Sequence, residues 1–376
     1  MSGAPVAATN KLSIAIVAPS LGILGGQAVQ ARRLLDAWQN DPDVHAWLVP
    51  INPKPPSWLR AATHVKYLRT LITQLCYWPL LLRELRRADV VHVFSASYFS
   101  FVLAPLPAVL TAKLLKRPVL MNYRSGEAPD HLRRSRLART ILREADENVV
   151  PSKFLQGVFA SHGIAARVIP NIIDRGRFRF RPRTLLRPRF LSTRNFEPLY
   201  NVACTLRAFA LVQRARPDAT LTLVGSGSQE SALRDLAETL DLKNVTFVGA
   251  VDPREIWKYY AAADVYIQTP NIDNMPSSLL EAFASGLPVV STEAGGVPAM
   301  LTDGVHGLLA PIDDHEAIAR QVLLLLEDSR LARRLAMSAY ESTDALIWER
   351  VRNQWIAAYR GLLEHTAAEP QAVRPT

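Results

Sequence analysis

The stretch SIAIVAPSLGILGGQAVQARRLLDAWQ, residues 13–39, decides the fold. Residues 13–18 are almost wholly apolar and read as a strand buried on both faces. Residues 22–26 form a glycine-rich turn, and residues 27–39 have helical spacing. A continuous apolar strand followed at once by a helix is the unit of a parallel sheet covered by helices. The pattern then recurs. Residues 44–49, 89–94, 118–123, 148–151 and 167–170 are short apolar or β-branched runs separated by helical stretches. This alternation predicts a doubly wound α/β domain.

The alternation breaks at residues 175–189, RGRFRFRPRTLLRPR, where arginine and proline crowd without periodicity. This segment reads as an interdomain linker. Beyond it the pattern restarts, with strands expected at 190–192, 220–224, 245–248, 265–268, 289–291 and 307–310. Helices are expected at 202–215 and 230–240. The chain therefore reads as two Rossmann-like domains, residues 1–180 and 189–344, with a cleft between them. Residues 345–363 have helical spacing and carry Trp348, Trp355 and Tyr359.

Composition narrows the class. The 376 residues are 49% hydrophobic and 21% charged, too apolar for a disordered chain. Cys76 and Cys204 stand far apart, which argues against a disulfide scaffold or a cysteine–zinc site and fits a reducing, cytosolic setting. The apolar runs 71–82 and 98–110 are shorter than the roughly 20 residues a membrane-spanning helix needs. Charge is divided unevenly. Residues 1–188 hold 27 Lys+Arg against 11 Asp+Glu, and residues 189–376 hold 17 against 23. A basic first half could meet anionic lipid, nucleic acid or phosphorylated substrates. Nucleic acid is disfavoured, because few aromatics accompany the arginines and no helix-turn-helix or zinc pattern is present.

Ligands of open α/β sheets bind beyond the carboxyl ends of the strands, and four segments lie there. Residues 19–27, PSLGILGGQ, join a strand to a helix, and glycine allows a backbone to approach an anion closely. Residues 192–201 put Arg194 at a strand end, where a guanidinium can grip a diphosphate through paired hydrogen bonds. Residues 224–228, VGSGS, and 248–250 are flexible turns after strands. The most informative is TPNIDNMPSSLLEAFASG, residues 269–286. Asp273 sits in a loop, Ser277 and Ser278 read as a serine-capped helix start, and Glu281 follows in the helix. Two carboxylates flanking helix amides suit a ligand with hydroxyls at its ends and phosphate in the middle.

These residues resemble the family 4 retaining glycosyltransferases of the GT-B fold, over most of the chain and most specifically from Arg194 to Pro311. Asp273 and Glu281, with seven residues between them, look like that family's acid-x7-Glu signature, followed by its typical run from Ala282 to Val290. Residues 293–298, 303–307, 91–92 and 169–174 also resemble family segments. The resemblance implies a nucleotide-diphosphate sugar donor, held mainly by the second domain and with no other cofactor. It implies that Glu281 binds the ribose and Asp273 contacts the donor sugar. Arg194, the amides near Ser278 and Leu279, and Gly25 and Gly26 would hold the diphosphate. Gly225, Gly249 and Ala250 would line the nucleotide pocket. Residues 345–368 would cross back onto the first domain.

Two positions depart from the family. The lysine that often follows the arginine by five or six residues is absent, since Leu199 and Tyr200 stand there. Gly295, Gly296 and helix dipoles are expected to compensate. The histidine often found after the strand at 118–123 is replaced by Arg124-Ser125-Gly126-Glu127, which makes Arg124 and Glu127 candidates for the reacting end. His131 reads as a structural histidine. Asp41-Pro42-Asp43 spells a metal-binding pattern of a different glycosyltransferase fold but reads here as a turn, and no catalytic metal is expected.

Together these imply retaining transfer of a sugar to an acceptor hydroxyl, or, in the other reading, a non-catalytic relative that binds a sugar nucleotide or a protein. Residues 58–87 mix apolar and cationic positions at helical spacing. Such a helix either lies on an anionic membrane surface beside a lipid-linked or glycan acceptor, or faces a core. The expected location is cytoplasmic, with peripheral contact to the inner face of the membrane.

Overall fold

The computed structural model describes residues 11–20, 26–59, 65–95 and 97–368. The first sheet contains β1 (Leu12–Ala18), β2 (Val44–Pro50), β3 (Val90–Ser95), β4 (Val119–Tyr123), β5 (Glu147–Val150) and β6 (Arg167–Val168). Its helices are α1 (Gly26–Trp38), α2 (Lys66–Leu85), α3 (Tyr98–Leu103), α4 (Pro105–Leu114), α5 (Ala128–Arg134), α6 (Arg136–Glu144) and α7 (Lys153–Ser161). The strands run parallel in the order β2-β1-β3-β4-β5-β6. Because β1, β3 and β4 are buried almost throughout, their apolar runs showed no alternation.

The second sheet contains β7 (Arg189–Ser192), β8 (Thr220–Val224), β9 (Val245–Gly249), β10 (Val265–Gln268), β11 (Val289–Thr292) and β12 (Leu308–Ala310). Its order is β12-β11-β10-β7-β8-β9, three strands on each side of the central reversal where the first sheet has two and four. The helices that follow are α8 (Val202–Ala215), α9 (Glu230–Thr239), α10 (Trp257–Ala262), α11 (Ser277–Ala284), α12 (His315–Glu327), α13 (Ser329–Ser342) and α14 (Trp348–Ala368). The chain is thus a pair of Rossmann-like units, as the strand–helix alternation predicts.

Helix α14 lies on the first domain. Val351, Trp355, Tyr359 and Leu362 are buried with Ile14, Ile16, Trp38 and Val90 in one core. Asp41 and Asp43 anchor it. Arg352 donates to Asp41 at 2.7 and 2.9 Å and to Asp43 at 2.6 Å. The amides of Asp43 and Val44 also donate to Asp41, so this acidic pair is a turn that clamps the last helix. Burial pushes the Asp41 carboxyl up, but Arg352 and those amides outweigh it and leave its pKa below the ordinary value.

The arginine-rich linker is less free than its composition implies. Arg183 is buried and donates to the carbonyls of Tyr260, Ala263, Ser285 and Gly286. Arg181 and Arg189 both pair with Asp264. Six residues before the second sheet begins, the linker is already fastened to the second domain.

Residues 58–87 do not form one helix. Trp58 belongs to a separate short turn, Ser57–Leu59, and α2 begins at Lys66. α2 is only partly committed to the core. Ile72, Tyr77, Leu81 and Leu85 are buried, whereas Tyr67, Leu71, Leu75 and Trp78 are exposed.

Candidate functional site

Each sheet reverses its winding between two central neighbours, β1 and β3 in the first and β7 and β10 in the second. A crevice opens beyond the strand ends at such a point. The loop after β7 carries Thr193 and Arg194, and the loop after β10 carries Asp273 and leads into α11. The topology therefore delivers these residues to one place, and the two crevices merge into one cavity of about 340 Å³ between the domains.

Arg194 is the hub of the second-domain wall. Its guanidinium donates to Asp273 at 2.5 Å and to the Ser278 hydroxyl at 2.9 Å, and lies 4.0 Å from the Tyr200 ring centroid. Burial works against the Arg194 charge, but Asp273 together with Tyr200, Tyr266 and Tyr260 outweighs it and raises its pKa. Tyr200, one of the two residues found where a lysine was expected, caps this cation with its π face. Gly225 lets the next loop approach. Its φ is +154°, and a Cβ there would lie 2.1 Å from the Arg194 carbonyl oxygen. Gly295 does the same for the Asp273 loop, where a Cβ would lie 2.2 Å from the Asp273 oxygen.

The first domain reaches this wall directly. Arg33 of α1 pairs with Glu281 of α11 at 2.5 Å, and Gln30, one turn earlier, donates to the Ser277 hydroxyl at 2.8 Å. The helix start is consequently not serine-capped. Pro276 is the N-cap and accepts the Leu279 amide, while Ser277 and Ser278 give their hydroxyls to Gln30 and Arg194.

The opposite wall is built on neutral partners. Arg124 donates from Nε to Asn122 Oδ1 at 2.9 Å and from Nη1 to Asn171 Oδ1. Asn171 donates in turn to the Met275 carbonyl at 2.7 Å. On the far side, the Asn122 amide lies 2.8 Å from His92 Nε2, and His92 Nδ1 lies 2.8 Å from the Tyr359 hydroxyl. The amide nitrogen only donates, so Nε2 accepts and the proton sits on Nδ1. Burial holds His92 neutral, well below its ordinary pKa. A polar chain thus runs from α14 through the first sheet to the cavity. Burial without an ionised partner pulls the Arg124 pKa down, to about 9, which leaves it charged at neutral pH.

Of the residues singled out in the sequence, Gly26, Arg124, Glu127, Arg194, Gly225, Ala250, Asp273, Ser278 and Glu281 line the cavity. Gly25 lies outside the described residues. Two others do not reach it. Leu279 is buried in the core with its amide spent on Pro276, and the Gly249 carbonyl is taken by the Gly225 amide. Gly295 and Gly296 brace the Asp273–Asn274 backbone rather than line the cavity. Glu127 contacts Ser125, not Arg124. His131 is buried against Tyr123, whose hydroxyl is 2.8 Å from Nδ1. Arg33, Gln30 and Asn171 were missed. They act across 248, 247 and 104 residues of sequence, respectively, and no local pattern marks such partners. Among the described residues, no group of three or more His, Cys, Asp or Glu is placed to hold a metal ion, and no helix is long and apolar enough to cross a membrane.

Two doubly wound domains enclosing a cleft, with a basic strand end and a carboxylate-flanked helix start on its second-domain wall, define a GT-B architecture. Two family models adjoin within the chain: Glycosyltransferase Family 4 matches residues 24–177, and Glycosyl transferases group 1 matches residues 177–342. The chain belongs to the family 4 glycosyltransferases of the GT-B fold. It is 27% identical over 288 residues to the D-inositol 3-phosphate glycosyltransferase of Segniliparus rotundus, a match covering 72% of this chain and 64% of the relative. It is also 27% identical to the N-acetyl-alpha-D-glucosaminyl L-malate synthase of Bacillus anthracis, covering 59% of this chain and 56% of that one. The matches therefore span less than two thirds of either relative. The crystal structure of HepE from Anabaena in complex with UDP-glucose superposes with a TM-score of 0.72, covering 93% of this chain and all of that one. At 18% identity that likeness concerns the fold.

Proposed function

We propose that this chain is a retaining glycosyltransferase that uses a nucleotide-diphosphate sugar without a metal ion, in the synthesis of a glycan, polysaccharide or glycolipid. The observation that carries the reading is the Arg194 cluster. A buried guanidinium, braced by Asp273 and Ser278 at a helix start, provides the positive site a departing diphosphate needs. Glu281 accepts from the ribose hydroxyls, Asp273 from the sugar, and Arg124 brings a second cation from the facing wall. The bond from the anomeric carbon to the phosphate oxygen breaks, and its electron pair leaves with the phosphate. The acceptor oxygen attacks on the same face, and its proton passes to the departing phosphate oxygen. The name of the Segniliparus relative supports glycosyl transfer, and the UDP-glucose in the HepE structure supports the donor class.

We place the acceptor at an anionic membrane surface. The exposed face of α2 and neighbouring Phe99 and Leu114 are apolar, and the first half of the chain is strongly basic. The chemistry is tested by NMR of the first product formed. Retention of the donor's anomeric configuration is expected, and an inverted linkage overturns the proposal. Nucleotide-sugar binding without transfer or hydrolysis across a broad acceptor panel would favour the non-catalytic reading. Flotation with anionic vesicles at low salt tests the location, and absence of binding removes it.

A further inference from the structure

Resting on the ribose role proposed for Glu281, we infer that Arg33 is a positioning residue for the donor, so that the first domain takes part in recognising the nucleotide through Glu281. The two side chains form a 2.5 Å ion pair across the cleft and are nearly shielded from water, at 12% and 7% exposure. Such a pair is maintained only in good geometry, because burial strips both charges of hydration. Here the geometry is supplied from both sides. Arg33 also reaches the Ile172 carbonyl at 3.3 Å and lies 5.7 Å from the Phe178 ring centroid. Gln30, three residues earlier on the same face of α1, donates to Ser277, four residues before Glu281 on α11. The two helices therefore meet at two matched points, one at each end of the proposed ribose and phosphate sites.

A carboxylate has about four acceptor positions, so a single guanidinium leaves room for both hydroxyls of a ribose. Arg33 then fixes the plane of the Glu281 carboxylate without occupying the whole group. Loss of Arg33 would leave Glu281 buried without its cationic partner and with its plane no longer set from the first domain. A donor that presents a ribose diol reads that orientation, and a donor lacking one hydroxyl does not.

The test is calorimetric titration of UDP, GDP and ADP, each beside its 2′-deoxy counterpart, into wild type, Arg33→Ala and Arg33→Lys. For whichever base binds, Arg33→Ala is expected to weaken the ribonucleotide by about 10-fold, as expected for losing a hydrogen bond to a charged group, and the deoxynucleotide by less than about 2-fold. Arg33→Lys is expected to restore part of the difference. Equal weakening of both sugars, or none, overturns the inference and leaves the ribose role of Glu281 intact. Wild-type protein that binds ribo- and deoxynucleotides equally removes that role and this inference with it. If none of the three bases binds wild type, the donor reading itself fails. Melting temperatures of the variants, measured in the same samples, identify any that has lost its fold, and Arg33→Gln then replaces it.

Discussion

Two arginines, Arg194 buried and Arg124 half-buried, face the same cleft and are held in different ways. Arg194 is paired with a carboxylate, a hydroxyl and an aromatic face. Arg124 is held by the amide oxygens of Asn122 and Asn171. The consequence is electrostatic. Asp273 raises the Arg194 pKa, whereas burial alone lowers that of Arg124. Arg194 is a preorganised group whose charge the protein already balances. Arg124 carries a charge that its neighbours orient without neutralising, which leaves it for an anion in the cleft. This difference teaches that losing a lysine near Arg194 need not remove the second cation from the site; it can come from the other domain.

The contrast can be broken by mutation. The largest effect is expected at Arg194. Arg194→Met should cut turnover by about 10²–10³-fold, the usual cost of losing one preorganised stabilising group. It should also destabilise the fold by about 3 kcal/mol, since Asp273 would be left largely buried and unpaired. Steady-state kinetics and urea unfolding read the two losses. Arg124→Met should separate them. Turnover is expected to fall about 10²-fold, while stability holds or rises, because a half-buried charge without a counter-ion is replaced by an apolar side chain. A fall in stability as large as that of Arg194→Met would show that the two arginines are not held differently.

A smaller effect probes the clamp remote from the cleft. Arg352→Ala is expected to cost about 2 kcal/mol by leaving Asp41 partnered only by amides. The pH dependence follows from the sign of the Asp41 shift. Its folded pKa lies below the ordinary 3.8, so its stabilisation is complete above that value and is lost as pH falls through the folded pKa. Acid unfolding curves should therefore converge for wild type and variant at low pH. The smallest expected effect is that of EDTA, which should leave turnover unchanged if Arg194 and Arg124 meet the leaving-group charge.

What the sequence made legible follows from range. Buried parallel strands appear as apolar runs, and strand ends announce where a ligand binds, so Arg194, Asp273, Ser278 and Glu281 were found together. Backbone commitments were not visible. The Leu279 amide and the Gly249 carbonyl are spent on neighbours, and nothing in residue type records that. Nor were contacts between domains visible. Arg33 looked like one of many arginines in a basic half until α1 was laid against α11. Asn171 sits in a segment recognised by resemblance, yet its work is to join Arg124 to Met275. In the linker, arginine density likewise did not reveal that Arg183 is buried among carbonyls.

The most direct test of the central claim is the affinity of wild type and of Arg194→Lys for UDP, GDP and ADP, measured by titration calorimetry. The account predicts that one of the three saturates the wild-type site and binds the lysine variant at least about 10-fold more weakly, since an ammonium cannot reproduce the guanidinium's paired geometry. Equal affinity in a folded lysine variant, or no binding of any of the three to wild type, would contradict it.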